Sequence, residues 1–342
     1  MKPTWIYILP LLFVLSSCER LIEYKGEVTE PKLVLQAELG EGDTIVKAFV
    51  SRSRFFLDDQ YGADYRLTDA SVEMQRGEQA WQKMEVYTIK EKDWIKERYY
   101  AIHLDSALQA GETIRVRASH PKYDTITAEQ TLVHRPWCQA LDYNGQPQTL
   151  LRNNDLHSVE LSLILQNYPF EDAILGVSIQ CAYRMTFVYR SRKDSMKGTT
   201  TFLQSYDPLF AGLYGVSASG QMAFSSRYEL FMGHDYVNGY HLNLEIPFST
   251  YSSDAEILDF TIDSLAVSFN AHSNDSYLYR RSMYLSNKDY NGGDLDLGAE
   301  MSDMFGSEED VQVYSNIANG YGIFAACSRY KIVKYNIKTV TQ

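Results

Sequence analysis

One residue has surroundings that specify a reaction: Cys18, at the end of Leu15-Ser16-Ser17-Cys18. Lys2 gives a positive start, Trp5 to Val14 is almost wholly apolar, and a small residue precedes the cysteine. That order is a secretory signal closed by a lipobox, so the thiol takes diacylglycerol and the new amino group is acylated after cleavage. The apolar run is too short to span a bilayer. Two or more acyl chains hold a soluble body at a membrane, where a single chain binds only marginally.

Other residues with chemical potential fall short of a site. Gly215-Val216-Ser217-Ala218-Ser219-Gly220 misses the glycine spacing of a nucleophile elbow, so Ser217 and Ser219 read as loop serines. Ser328-Arg329-Tyr330-Lys331 matches Ser-x-x-Lys, but in a strand positions i and i+3 face opposite sides. His234 beside Asp235 is an isolated pair, and no His-Glu-x-x-His run occurs. Asp289, Asn291, Asp294 and Asp296 surround two glycines without the spacing of a calcium loop. No catalytic residue, metal site or cofactor is therefore expected. Of the four cysteines, Cys18 is taken by lipid; Cys138, Cys181 and Cys327 allow at most one disulfide. Asn316 and Tyr321, in a glycine-punctuated segment, form a candidate binding loop. The same segment reads equally as a sharp bend, because Gly320 and Gly322 permit φ > 0.

The elements that must position these residues are mostly strands. The expected layout is a signal peptide over 1–17, a tether over 18–31, a sandwich over 32–134, a linker over 135–157 and a second domain over 158–338. Seven short runs fill the first domain: Leu33 to Ala37, Thr44 to Arg52, Ala70 to Gln75, Met84 to Ile89, Arg98 to Leu104, Thr113 to Ala118 and Thr125 to Leu132. Alternation with turn signals between the runs predicts a sandwich of immunoglobulin-like or transthyretin-like outline. Longer runs follow at Ser158 to Gln166, Leu175 to Tyr189, Tyr240 to Phe248, Phe260 to Asn270 and Gly322 to Tyr335. Met196 to Gly220 shows no period. Ser276 to Asn287 has helical spacing, with Asn274 or Asp275 as cap. The fold class is mainly β: an N-terminal sandwich, then a second β-rich domain with one or two short helices. The closing run is expected to serve a second core, separate from the first.

The net charge of −12, from 44 acidic and 32 basic side chains, argues against nucleic acid as partner. The 26 tyrosines suit β packing, and sugar- or peptide-binding faces are their sharper use.

Several stretches together carry a resemblance. Leu33-Val34-Leu35 opens the first strand, Asp69-Ala70-Ser71-Val72 a middle one, and Leu108 to Val116 follows. Late in the chain stand Tyr277 to Ser282 and Val313 to Phe324; Ser315-Asn316-Ile317-Ala318-Asn319-Gly320-Tyr321-Gly322-Ile323-Phe324 is the most specific piece. The chain resembles the DUF4249 family of Gram-negative surface lipoproteins over nearly its whole mature length. It departs from the usual pattern just after the lipid cysteine, at Arg20-Leu21-Ile22-Glu23. The resemblance implies an outer-membrane lipoprotein partnering a TonB-dependent receptor, and it carries no catalytic residues. The expectation is a lipid-anchored, non-enzymatic outer-membrane lipoprotein, at the cell surface rather than the periplasmic face, that assists or captures substrate for a transporter. A structural or adhesive envelope lipoprotein is the alternative. A surface hydrolase is a third, and requires a Ser, His or carboxylate cluster near in space but scattered in sequence.

Overall fold

The computed structural model describes residues 30–54, 65–91, 94–136, 138–141, 150–153, 156–165, 173–201, 229–231, 240–248, 256–286 and 312–338. The fold is mainly β, with one helix among the described residues.

Eight strands build the N-terminal part: β1 Leu33–Leu39, β2 Ile45–Arg52, β3 Ser71–Arg76, β4 Gln82–Lys83, β5 Glu85–Glu91, β6 Trp94–His103, β7 Thr113–His120 and β8 Tyr123–Thr131. Alternation explains their placement. In β7, Ile114, Val116 and Ala118 are fully buried, while Arg115 and Arg117 point outward to Glu129 and Glu73. Strands β1, β2, β6 and β5 lie side by side in one sheet, and β4, β3, β7 and β8 form another. Leu33, Leu35, Val46 and Ala48 from the first meet Val72, Met74, Ile114, Val116 and Ile126 from the second in one core, as the alternating patterns predict.

The remaining elements are β9 Cys138–Leu141, β10 Leu150–Asn153, β11 Leu156–Leu165, β12 Ile174–Tyr189, β13 Arg192–Thr200, β14 Leu230–Phe231, β15 Tyr240–Phe248, β16 Glu256–His272, helix α1 Asn274–Ser286 and β17 Tyr321–Lys338. Strands β9, β10, β11 and β15 form a four-stranded sheet. Residues 135–157, expected to link two domains, thus supply the strands β9 and β10. Each is four residues long, too short for alternation to register. Met196 to Thr200, expected to be irregular, belong to β13. That strand is polar and mostly exposed, and it is paired to β12 through a two-residue turn at Arg190 and Ser191, both at positive φ. The rest of that stretch, 202–220, lies outside the described residues.

The expectation that the closing run serves a core separate from the first is corrected by its pairing and packing. β17 pairs antiparallel with β16 and parallel with β1, with Ala37 beside Phe324 and Leu39 beside Ala326. One nine-stranded sheet therefore runs β13-β12-β16-β17-β1-β2-β6-β5, with β14 attached to β12. Phe324, Ala326 and Ile317 enter the N-terminal core. The physical reason is hydrophobic saturation. Residues Ile323 to Ser328 are buried on both faces, and β1 offers the apolar partner row that a doubly covered strand needs.

Candidate functional site

The bend before β17 sets up the site. Asn316 bonds Phe324 twice: its Nδ2 donates to the Phe324 carbonyl at 2.7 Å, and its Oδ1 accepts the Phe324 N–H at 2.9 Å. Its Nδ2 also lies 3.2 Å from Asp275 Oδ2, and Tyr314 donates its hydroxyl to Asp275 Oδ1. Burial, with Asp275 adjoining, pushes the Tyr314 phenol up to about 12. Asn319 takes positive φ, as does Gly322. Of the candidate binding loop, Asn316 is thus committed inside the molecule. Tyr321 is exposed, with Lys32 Nζ 5.5 Å from its ring centre.

The bend also holds the start of α1, where Asp275 suits the helix dipole. Neither Asn274 nor Asp275 caps the helix. The cap is Ser273, whose Oγ accepts the N–H of Ser276 at 3.3 Å and that of Ala326 at 3.3 Å. This places α1 across β17 and β16, over one face of the large sheet.

Beneath α1 lies a buried polar chain. His272, the last residue of β16, is fully buried. Its Nε2 sits 2.9 Å from Glu229 Oε1, and its Nδ1 2.9 Å from Ser276 Oγ. With Glu229 ionised, and therefore only able to accept, the proton of that bond sits on Nε2. Asn270 Nδ2 also donates to Glu229 Oε1. Arg280 Nη1 is 3.5 Å from Glu229 Oε2, and its Nη2 is 2.8 Å from Glu38 Oε2; Arg329 closes the chain on the other Glu38 oxygen. Burial raises the Glu229 pKa, but His272, Arg280 and Asn270 outweigh it and hold the carboxyl at about 2. Glu38 is lowered likewise, with Arg280 and Arg329 overcoming burial.

Next to this chain is a groove of about 430 Å³, lined among others by Gln36, Glu38, Lys47, Phe49, Tyr279 and Arg280. Gln36 Nε2 donates to the Tyr279 hydroxyl at 3.3 Å across it. Its floor is Ile323 and Ala325 on β17 and Ala37 on β1. Lys47 has no carboxylate partner among the described residues; its Nζ lies 4.9 Å from the ring centre of Tyr99.

The other sequence candidates separate cleanly. Cys18, Ser217, Ser219, His234, Asp235, Asp289, Asn291, Asp294 and Asp296 lie outside the described residues. Ser328 is buried, donating to the Val133 carbonyl and accepting the Glu41 N–H, while Lys331 is exposed. Cys181 and Cys327 are free, and burial pushes both thiols up to about 12, which removes them as nucleophiles. No metal-binding cluster occurs among the described residues. Sequence reasoning missed Glu38, Glu229, His272, Ser276, Arg280 and Arg329. The available signal was polarity inside apolar runs: Asn270 and His272 end a long apolar strand, and Glu229 precedes Leu230-Phe231.

No curated protein matches the chain. Two solved structures are similar in part. A pullulanase complexed with maltotriose from Anoxybacillus sp. LM18-11 has 8% identity and a TM-score of 0.19, covering 71% of this chain and 24% of that one. A structure of pullulanase from the same source has 7% identity, the same TM-score and the same coverage. The family described as "Domain of unknown function (DUF4249)" matches residues 19–332, which include every strand of the N-terminal sandwich, the groove and the bend at Asn316, and the chain belongs to that family.

Proposed function

We propose that the chain is a lipid-anchored, non-enzymatic envelope lipoprotein. It captures a ligand in the groove beside α1 and presents it to an outer-membrane transporter of the TonB-dependent class. The observation that carries this reading is the contrast between the two halves of the site. Tyr279, Phe49, Lys47 and Glu38 border an open groove; Ser276 also lines it but is buried with its Oγ bonded to His272, and His272 is fully buried behind it with both ring nitrogens bonded. Binding needs the first arrangement; turnover needs the second to be reachable. The lipobox at Cys18 supports the lipid anchor; the outer membrane, on the cell-surface side, is the location that this reading proposes. Cys18→Ser is expected to lose fatty-acid label and to leave the membrane fraction. Purification of the anchored protein from mildly solubilised membranes is expected to bring a transporter with it. Recovery of the protein alone would count against the reading.

A hydrolase is the second reading, favoured by the Ser276–His272–Glu229 connectivity, which reproduces the bonding order of a nucleophile, base and orienting acid. Against it, Ser276 is 1% exposed. A fluorophosphonate probe is expected to leave the folded protein unlabelled, and covalent labelling of Ser276 would reverse the choice.

A further inference from the structure

The groove does not end at Phe49. On the same sheet face, β6 and β5 continue it with a row of rings. Tyr99 on β6 stands 5.9 Å from Phe49 between ring centres, and Tyr87, directly opposite Tyr99 on β5, stands 5.8 Å beyond with its ring nearly parallel, at 14°. His103 joins the row at 6.4 Å from Tyr87. Phe49 is 36% exposed and Tyr87 39% exposed, high for large rings beside a polar groove. The row crosses three neighbouring strands about 4.8 Å apart. It leads from bare aromatic surface to a pocket end furnished with Gln36, Glu38, Lys47, Tyr279 and Arg280.

We propose that the groove and this aromatic row together bind an oligosaccharide. The inference rests on the capture reading above and names its ligand class. A sugar ring has an apolar C–H face and a rim of hydroxyls. The C–H groups carry slight positive charge and are attracted to the negative π faces of Phe and Tyr. Each hydroxyl both donates and accepts, and the pocket end supplies both kinds of partner: the Gln36 amide, the Tyr279 hydroxyl, the Glu38 carboxylate and the Lys47 and Arg280 donors. Glu38 is already paired with Arg280 and Arg329, so it does not call for a cationic ligand. A peptide fits less well. The row crosses β2, β6 and β5, and β2 and β6 are each hydrogen-bonded to a strand on both sides, so a peptide lying across the sheet face would bury its own amides there without backbone partners. A lipid chain would desolvate Gln36, Glu38 and Lys47 with no compensation.

Affinity electrophoresis through gels containing soluble starch, xylan, galactomannan, mixed-linkage β-glucan or pectin tests this. The full chain is expected to be retarded by at least one of the five. Tyr87→Ala and Tyr99→Ala are each expected to weaken that binding about tenfold, the scale of one lost aromatic contact. Val86→Ala, on the opposite face of β5 and 40% exposed, is expected to bind as the parent does. Matched thermal melts separate lost binding from lost folding, and Tyr87→Phe, which keeps the ring, restores retardation. Silence in all five gels overturns the proposal, as does retardation equal in parent and Tyr99→Ala. Retention of a labelled casein digest that Tyr99→Ala abolishes, with all gels silent, assigns the groove to peptide instead. The transporter reading is judged separately by co-purification, which these soluble-phase outcomes leave untouched.

Discussion

Gly322→Ala is expected to destabilise the N-terminal sandwich together with the C-terminal strands, by about 3 kcal/mol or more. Gly322 has φ of +109°, a region side chains rarely enter, and a Cβ there would lie 2.0 Å from the Leu35 carbonyl oxygen. That oxygen belongs to β1, in the parallel ladder where Leu35 is registered against Gly322. Relief requires the two strands to separate, and Phe324 and Ala326 then leave the core they share with Leu35 and Val46. Gly320 does not take positive φ, but it is confined sterically, since its Cβ would meet Leu33 O and Ile126 Cγ2, both at 2.6 Å. Hydrogen exchange during denaturant unfolding checks this. Protection is expected to fall together over Leu33–Leu39 and Tyr321–Lys338. A loss confined to β11 and β15, with β1 unchanged, would show that the bend serves the C-terminal half alone.

The second large effect concerns pH. The Glu229 carboxyl, 6% exposed, is raised by burial but lowered further by His272, Arg280 and Asn270, to about 2 in the folded protein. An unfolded glutamate titrates near about 4.3. The folded pKa is the lower one, so the ionised group stabilises the fold fully above about pH 4.3, and the contribution fades as pH falls toward 2. The shift corresponds to on the order of 3 kcal/mol. Glu229→Gln is expected to cost a comparable amount at neutral pH, because it leaves Arg280 and His272 without their buried anion. The gap between parent and variant should hold its full size above about pH 5 and close as pH approaches 2. Urea unfolding across this range measures the gap; a gap independent of pH would mean that Glu229 is held by packing and not by charge.

Local pattern made the strands legible, and distance hid the site. Runs such as Thr113 to Ala118 and Thr44 to Arg52 alternate because one face is wet, and the burial of β7 and β2 follows that alternation. The helix over 274–286 was readable from the spacing of Tyr277, Arg281 and Tyr284, but its cap was not. Ser273 was chosen by a contact with Ala326, which no local rule contains. The polar β13 carries no apolar period, so only its pairing with β12 defines it. The site draws Glu38, His272, Arg280 and Arg329 from four separate elements and Glu229 from just before β14, and nothing in their spacing links them. The segment from Ser315 to Phe324 stood out for its residues. What it does with them, a side-chain amide mimicking a strand partner for Phe324, needed coordinates to be seen.

The parallel pairing of β1 with β17 bears on the order of assembly. Translation delivers β1 early and β17 after every other described strand, so until β17 emerges, one edge of β1 has no ladder partner. Local hairpins such as β5 with β6 and β7 with β8 can close early. The central strand of the sheet cannot, and it must bridge nearly the full sequence to do so, which makes closure slow. An apolar strand held open in this way is a template for pairing with a neighbouring chain. The nascent protein therefore passes through a stage in which a strand from the interior of its largest sheet is an open, adhesive edge. A truncation removing only β17 would fix it there.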